Sequence, residues 1–264
     1  MKPSPYIQVA PQDLSASLHS LFNSRQPAAL RCFAVLEGHA AGRVFTDNPL
    51  KPAWAVVQEA GFGTIYQGGD LPPAVLRRLI ADLRQQGDVL YGFWPDDARR
   101  ELLPPVPDYD GWVVEFSQRD SPDRPFPPVP QDLALLPIDL DLFDRLIGQD
   151  MYRAIFGSAE AALLLGFGLC LVRPSSVGQK LLCEAFAGPA ALGMIEIGVD
   201  TREDYRQRGY GTITCAALIA ECEKRGYPTY WNCDKRNQAS LALARRLGYR
   251  DGQEYHLLAW SHSS

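Results

Sequence analysis

Short apolar runs broken by Gly, Pro and Asp fill the first half of the chain, at residues 30–36, 43–46, 54–57, 64–66 and 89–94. Runs of that length between turn residues predict strands. Ahead of the last of them, Leu76, Leu79, Ile80 and Leu83 recur at helical spacing behind Pro72, with Asp70 placed to cap the helix. In the second half the period alternates. Leu142, Phe143, Leu146 and Ile147 predict a helix over 141–153, and 163–172, 180–186 and 194–199 predict strands. Cys215, Leu218, Ile219 and Cys222 then form the core-facing stripe of a helix over 212–225. A strand over 228–233, a helix led by Asn237 and a last strand over 254–260 follow.

Prolines crowd the middle, at Pro104, Pro105 and Pro107 and again from Pro122 to Pro137. Such a run disfavours helix and central strand, so a linker is expected at 118–137 between domains at 1–117 and 138–264. Both halves read as α+β.

The sequence Arg206-Gln207-Arg208-Gly209-Tyr210-Gly211 lies between an expected strand and an expected helix. Glycines there let backbone N–H groups converge, and the helix start adds unpaired donors and a positive dipole end, so an anion such as a pyrophosphate fits. Gly61-Phe62-Gly63 and Gly68-Gly69 lack a following basic residue and helix and read as hairpin turns. Downstream, Asn237-Gln238-Ala239-Ser240 opens a segment that closes on Leu247-Gly248-Tyr249.

Together the two segments, in this order, resemble motifs A and B of the GNAT N-acetyltransferase superfamily over roughly residues 150–260. The resemblance implies a mixed central sheet flanked by helices and acetyl-CoA as cosubstrate, without a metal. It implies that Arg206, Gln207, Arg208, Gly209, Tyr210, Gly211 and Thr212 hold the pyrophosphate, with Asn237 and Ser240 beyond. The pantetheine would pair with the strand carrying Ile197 and Val199, where Gly198 permits a close approach or a bulge. Glu196, facing opposite to Ile195 and Ile197, stands where the family often has a general base. Its alternative is a solvent-facing or salt-bridged carboxylate at a sheet edge. Tyr230, Trp231 and Asn232 would line the acceptor cleft. One departure is plain: where many members carry a tyrosine as acid for the leaving thiolate, this chain has Ala244. Tyr249 and Tyr255 are the candidate replacements. Cys233 as an acyl-carrying nucleophile is a weaker alternative. The first half, lacking such a loop, would be a GNAT-like fold that does not hold CoA.

Composition narrows the partners. The chain has 264 residues, 46% of them hydrophobic, and a net charge of −5 with a pI near 5.4. That balance argues against nucleic acid and anionic membrane. Six cysteines without a C-x-x-C pair, and an opening Met-Lys-Pro-Ser-Pro without an apolar leader, suggest a cytoplasmic protein with reduced thiols. The apolar stretch 159–172 contains Glu160 and glycines and is too short for a membrane span. The expected function is acetyl transfer from acetyl-CoA to a small amine by direct transfer in a ternary complex, in a monomer or homodimer. A non-catalytic acyl-CoA sensor and an aminoacyl-tRNA-dependent transferase with tandem GNAT folds are the alternatives.

Overall fold

The computed structural model describes residues 5–10, 16–104, 107–120, 126–176 and 178–262. The chain divides into two compact units, residues 1–113 with 254–264, and residues 114–253.

The first unit contains β1 (Ile7–Val9), α1 (Ala16–His19), α2 (Ala29–Leu36), β2 (Gly42–Thr46), β3 (Trp54–Glu59), β4 (Thr64–Gly69), α3 (Pro73–Leu83) and β5 (Val89–Phe93). β1 to β4 form an antiparallel meander, and β5 returns parallel to β4 at Thr64↔Leu90 and Ile65↔Tyr91. The expected strand at 30–36 is helix α2. Its run Ala-Leu-Arg-Cys-Phe-Ala-Val-Leu is apolar enough for either structure, and burial of Cys32, Val35 and Leu36 in one packed cluster decides for helix. Asp70 does not cap α3, whose N-cap is Pro72.

β6 (Tyr109–Phe116) carries the chain into the second unit. There follow β7 (Gln118–Arg119), β8 (Ala134–Pro137), α4 (Leu140–Phe143), α5 (Gln149–Phe156), α6 (Ala159–Leu165), β9 (Phe167–Ser175), β10 (Gly178–Ala191), β11 (Met194–Thr201), α7 (Tyr210–Lys224), β12 (Thr229–Asp234), α8 (Gln238–Arg246) and β13 (Tyr249–Arg250). The sheet order is β12-β11-β10-β9-β8, antiparallel except for the parallel pair of β11 with β12. On one face α7 and α8 cover Ile195, Ile197 and Trp231 with Cys215, Leu218, Ile219 and Leu241. Each such aliphatic side chain contributes about 1.5–3 kcal/mol when fully buried. On the other face the α4 to α6 region packs Phe143, Tyr152, Phe156 and Ala162 over Phe186 and Cys170.

Two further expectations change here. The single helix at 141–153 is α4 and α5, parted at Ile147 and Gly148, and the strand expected from 163 starts only at Phe167, after a helix capped by Ser158. The expected linker carries β7 and β8, and its residues 121–125 lie outside the described residues. Finally, β14 (Gln253–Trp260) pairs antiparallel with β5 from His256↔Phe93 to Trp260↔Val89. It therefore belongs to the first unit and not to the second domain of the sequence reading, because Leu258 and Trp260 fill the core under β5 and α3.

Candidate functional site

β11 ends at Thr201, and a 3-10 turn at Glu203–Tyr205 leads into the glycine loop. Gln207 and Gly209 both take positive φ, 60° and 78°, and α7 starts at the next residue. A left-handed backbone costs a residue with a Cβ about 1–2 kcal/mol, which explains glycine at the N-cap. A methyl placed on Gly209 would meet nothing within 4 Å, so the space in front of the helix is open. The first turn leaves the amides of Tyr210, Gly211 and Thr212 without partners inside the helix, at its positive end. Arg206 turns its Nε to the Thr201 carbonyl at 3.3 Å, while Lys180 and Arg208 lie 5.1 and 5.4 Å from the Tyr205 ring. Lys180 holds the Tyr205 phenol below its usual pKa through a hydrogen bond. The loop thus offers an open backbone cradle with cations at its rim, which fits a pyrophosphate. Lys180 escaped the sequence reading because only the β10–β11 hairpin brings it to the loop.

Next to this loop the sheet opens. β11 pairs with β12 at Ile195↔Thr229 and Glu196↔Tyr230, after which the register between them ends. Across β11, the ladder to β10 shifts between Ala187 and Ala190, opposite Ile197 and Ile195. Glu196 therefore sits at the last parallel pair and beside a bulge. Ile195 and Ile197 enter the α7 core, so alternation turns Glu196, Gly198 and Asp200 to the face under α5. Tyr230 shares that face. Its hydroxyl donates to Glu115 Oε2 at 2.8 Å and accepts from Asn232 Nδ2 at 3.0 Å. Glu196, Tyr230 and Asn232 are thus brought together, with Glu115 as a member the sequence did not reveal. Trp231 is not among them. It is 2% exposed in the α7 and α8 core, with its Nε1 donating to Ser240 Oγ at 3.1 Å, because its neighbours in the alternation face the other way.

The second motif is chiefly structural. Asn237 Oδ1 caps α8 by accepting from the Ser240 amide at 3.1 Å, and the Ser240 hydroxyl serves Trp231. Ala244 is fully buried among Trp231, Leu241 and Leu247. Tyr249 gives its hydroxyl to Thr229 Oγ1 at 2.6 Å and is held well above the usual pKa by burial, which leaves it poorly suited as an acid. Tyr255 packs in the core of the first unit, near Trp94. Burial also raises the Cys233 thiol, so it is not a ready thiolate. Val199 and Ile197 point toward α7, with their backbone bordering the opening.

Under α5, Glu184 is fully buried on β10 opposite Asp200. Its carboxylate accepts the amides of Ile147 at 2.7 Å and Gly148 at 2.8 Å, fixing the turn that starts α5. Burial pushes its pKa up to about 7 against the pull of those two bonds. Tyr152, from α5, stacks on Phe186 with centroids 4.6 Å apart. Among the described residues no three His, Cys, Asp or Glu side chains gather as a metal site, and no helix is long and apolar enough to cross a membrane.

A mixed sheet whose strands β11 and β12 part beside a glycine-led helix start thus frames the site. The chain belongs to the GNAT acetyltransferase family, whose profile matches residues 19–258. It is 27% identical over 195 residues to the uncharacterized N-acetyltransferase YdfB of Bacillus subtilis (strain 168), covering 73% of this chain and 64% of that protein. The fold is similar to a GCN5-related N-acetyltransferase-like protein from Streptococcus suis 89/1591 at TM-score 0.60, with 21% identity over 84% of this chain and 89% of the other. It is also similar to a tandem GNAT protein from the clavulanic acid biosynthesis pathway at TM-score 0.61, with 10% identity over 98% of both chains.

Proposed function

We propose that the chain transfers an acetyl group from acetyl-CoA to the amine of a small molecule, directly and within a ternary complex. One observation carries this reading: the open Gln207–Gly209 cradle leads into α7 immediately beyond the strand that parts from β12 at Glu196. A nucleotide held at the cradle would run along the parted edge of β11 toward Glu196. Acetyl-CoA supplies the activated acyl group. Arg206, Arg208 and Lys180 then supply positive charge for its phosphates, and the amides at the start of α7 bind the pyrophosphate. The backbone of Ile197 to Val199, beyond the last pair with β12, positions the thioester, and Glu196 takes the proton from the acceptor amine, directly or through water. A thiol leaving group, with a pKa of about 8.5, departs without a dedicated tyrosine at position 244.

One CoA per chain is expected, in the second unit. In the first unit α3 begins on Pro73 only a few residues after β4, leaving no glycine loop of the R-x-x-G-x-G kind. The protein would work as a soluble cytoplasmic enzyme.

A mass-spectrometric screen of amines with acetyl-CoA tests the reading: one or more acetylated amines are expected. The buried Ala244 favours one rival, an acyl-CoA sensor without turnover. CoA binding with no product across a broad amine panel would replace the enzyme by that sensor, and absence of CoA binding would overturn both.

A further inference from the structure

The pairing of β8 with β9 ends at Pro137↔Leu169, followed by one bond from the Ile138 amide to the Gly168 carbonyl at 3.0 Å, after which the chain turns into α4. A cavity opens there, within the second unit. It has a volume of about 450 Å³ and is walled by Ile138, Leu163, Phe167 and Ala217, with the α7 side chain Glu221 and the adjoining Arg225 on its charged side. That volume falls in the range of about 300–1,000 Å³ typical of small-molecule sites.

Arg225 is fixed from two directions. Its guanidinium carbon lies 3.8 Å from the centre of the Phe167 ring, and its Nε donates to Glu221 Oε1 at 2.9 Å. Its two Nη atoms bond to nothing among the described residues. A guanidinium held by its face and its Nε has little freedom left to lose on binding, and its remaining edge is a planar fork that matches a carboxylate with two parallel hydrogen bonds. Lys224, which also lines the cavity and lies 3.8 Å from Glu221, sets two cations against one carboxylate. The charged side is therefore net positive. A cationic ligand finds little there, because Glu221 is already shared by Arg225 and Lys224 and the guanidinium covers a face of the only aromatic ring in the wall.

The geometry points to a second ligand site, in which the Arg225 fork receives the carboxylate of a small organic acid and the cavity receives its apolar body. Glu221 is the positioning residue, since its bond to Nε turns the free edge of the guanidinium outward. This site stands apart from the glycine loop: Arg225 and Tyr210 are separated by the full length of α7, about 22 Å. It does not rest on the acyl-transfer reading.

The test uses the full chain with 4-phenylbutyrate and its uncharged amide, 4-phenylbutanamide, as matched probes. Calorimetric titration should show wild type binding the acid about 10-fold or more tightly than the amide, the size expected for hydrogen bonds between charged groups. Arg225→Gln should bring that ratio toward one, and Arg225→Lys, which keeps the charge without the fork, should fall between. Arg225 is exposed, so both variants are expected to fold. Ala217→Trp fills the cavity from the opposite side and should abolish binding of both probes with Arg225 intact. Amide shifts in nuclear magnetic resonance spectra should move at Phe167–Leu169 and Ala217–Arg225 when the acid is added. Equal binding of the two probes by wild type, no binding of either, a preference untouched by Arg225→Gln, or shifts gathered at Arg206–Thr212 instead would each overturn the site, whether or not the protein acetylates an amine.

Discussion

Glu184 accepts the amide hydrogen of Gly148 at 2.8 Å while buried on a neighbouring strand, so a carboxylate stands at the break between two helices. In the folded protein its pKa is about 7 against an ordinary 4.5, because burial outweighs the two amide bonds. The fold thus holds this proton more tightly than the unfolded chain does. From pH 4.5 to about 7 the unfolded chain loses the proton first, so the contribution of Glu184 to stability falls as pH rises and levels off above 7. At about 1.4 kcal/mol per pKa unit the change is roughly 3 kcal/mol. Thermal unfolding between pH 4.5 and 8 should show this decline in wild type and lose it in Glu184→Gln.

Gly209→Glu should abolish measurable CoA binding in calorimetric titration. The new carboxylate enters the open space before α7, opposing a phosphate, and its left-handed backbone costs about 1–2 kcal/mol. Gly209→Asn, which tolerates positive φ, should bind CoA more tightly than Gly209→Glu. Equal and unchanged affinity in both variants would remove the phosphate-loop assignment.

Glu196→Gln preserves shape and removes the base. A positioned general base contributes about 10²–10⁴-fold, so kcat should fall by that order with CoA affinity largely kept. A near-wild-type rate with an unaltered pH profile would assign proton removal to another group.

Ala244→Tyr should destabilise the protein. Position 244 is fully enclosed by Trp231, Leu241 and Leu247, and overpacking a core of this kind typically costs about 1–3 kcal/mol. A chemical-denaturation midpoint equal to wild type would show that the α8 core has room for the ring.

The glycine loop and the stripe of Cys215, Leu218, Ile219 and Cys222 were readable because each is a local signal, a backbone requirement in one case and a helical period in the other. Residues 30–36 were not, since a run that is apolar apart from Arg31 has no period to choose helix over strand. The break at Ile147 and Gly148 is set by Glu184, distant in sequence, and leaves no local trace. Trp231 is different. The alternation of polar Tyr230 and Asn232 with apolar Trp231 and Cys233 already told the two faces apart, and the reading of all three residues as one cleft wall overlooked it. Glu115 gains meaning only from Tyr230 on another strand.

The return of β14 to β5 has a consequence for the order in which this protein is made. The first unit lacks Leu258 and Trp260, which complete its core, until the whole second unit has been translated. At about 5–20 residues per second, that edge of β5 waits on the order of ten seconds while residues 114–253 are made. The first part of the chain to leave the ribosome is thus the last to have its core completed.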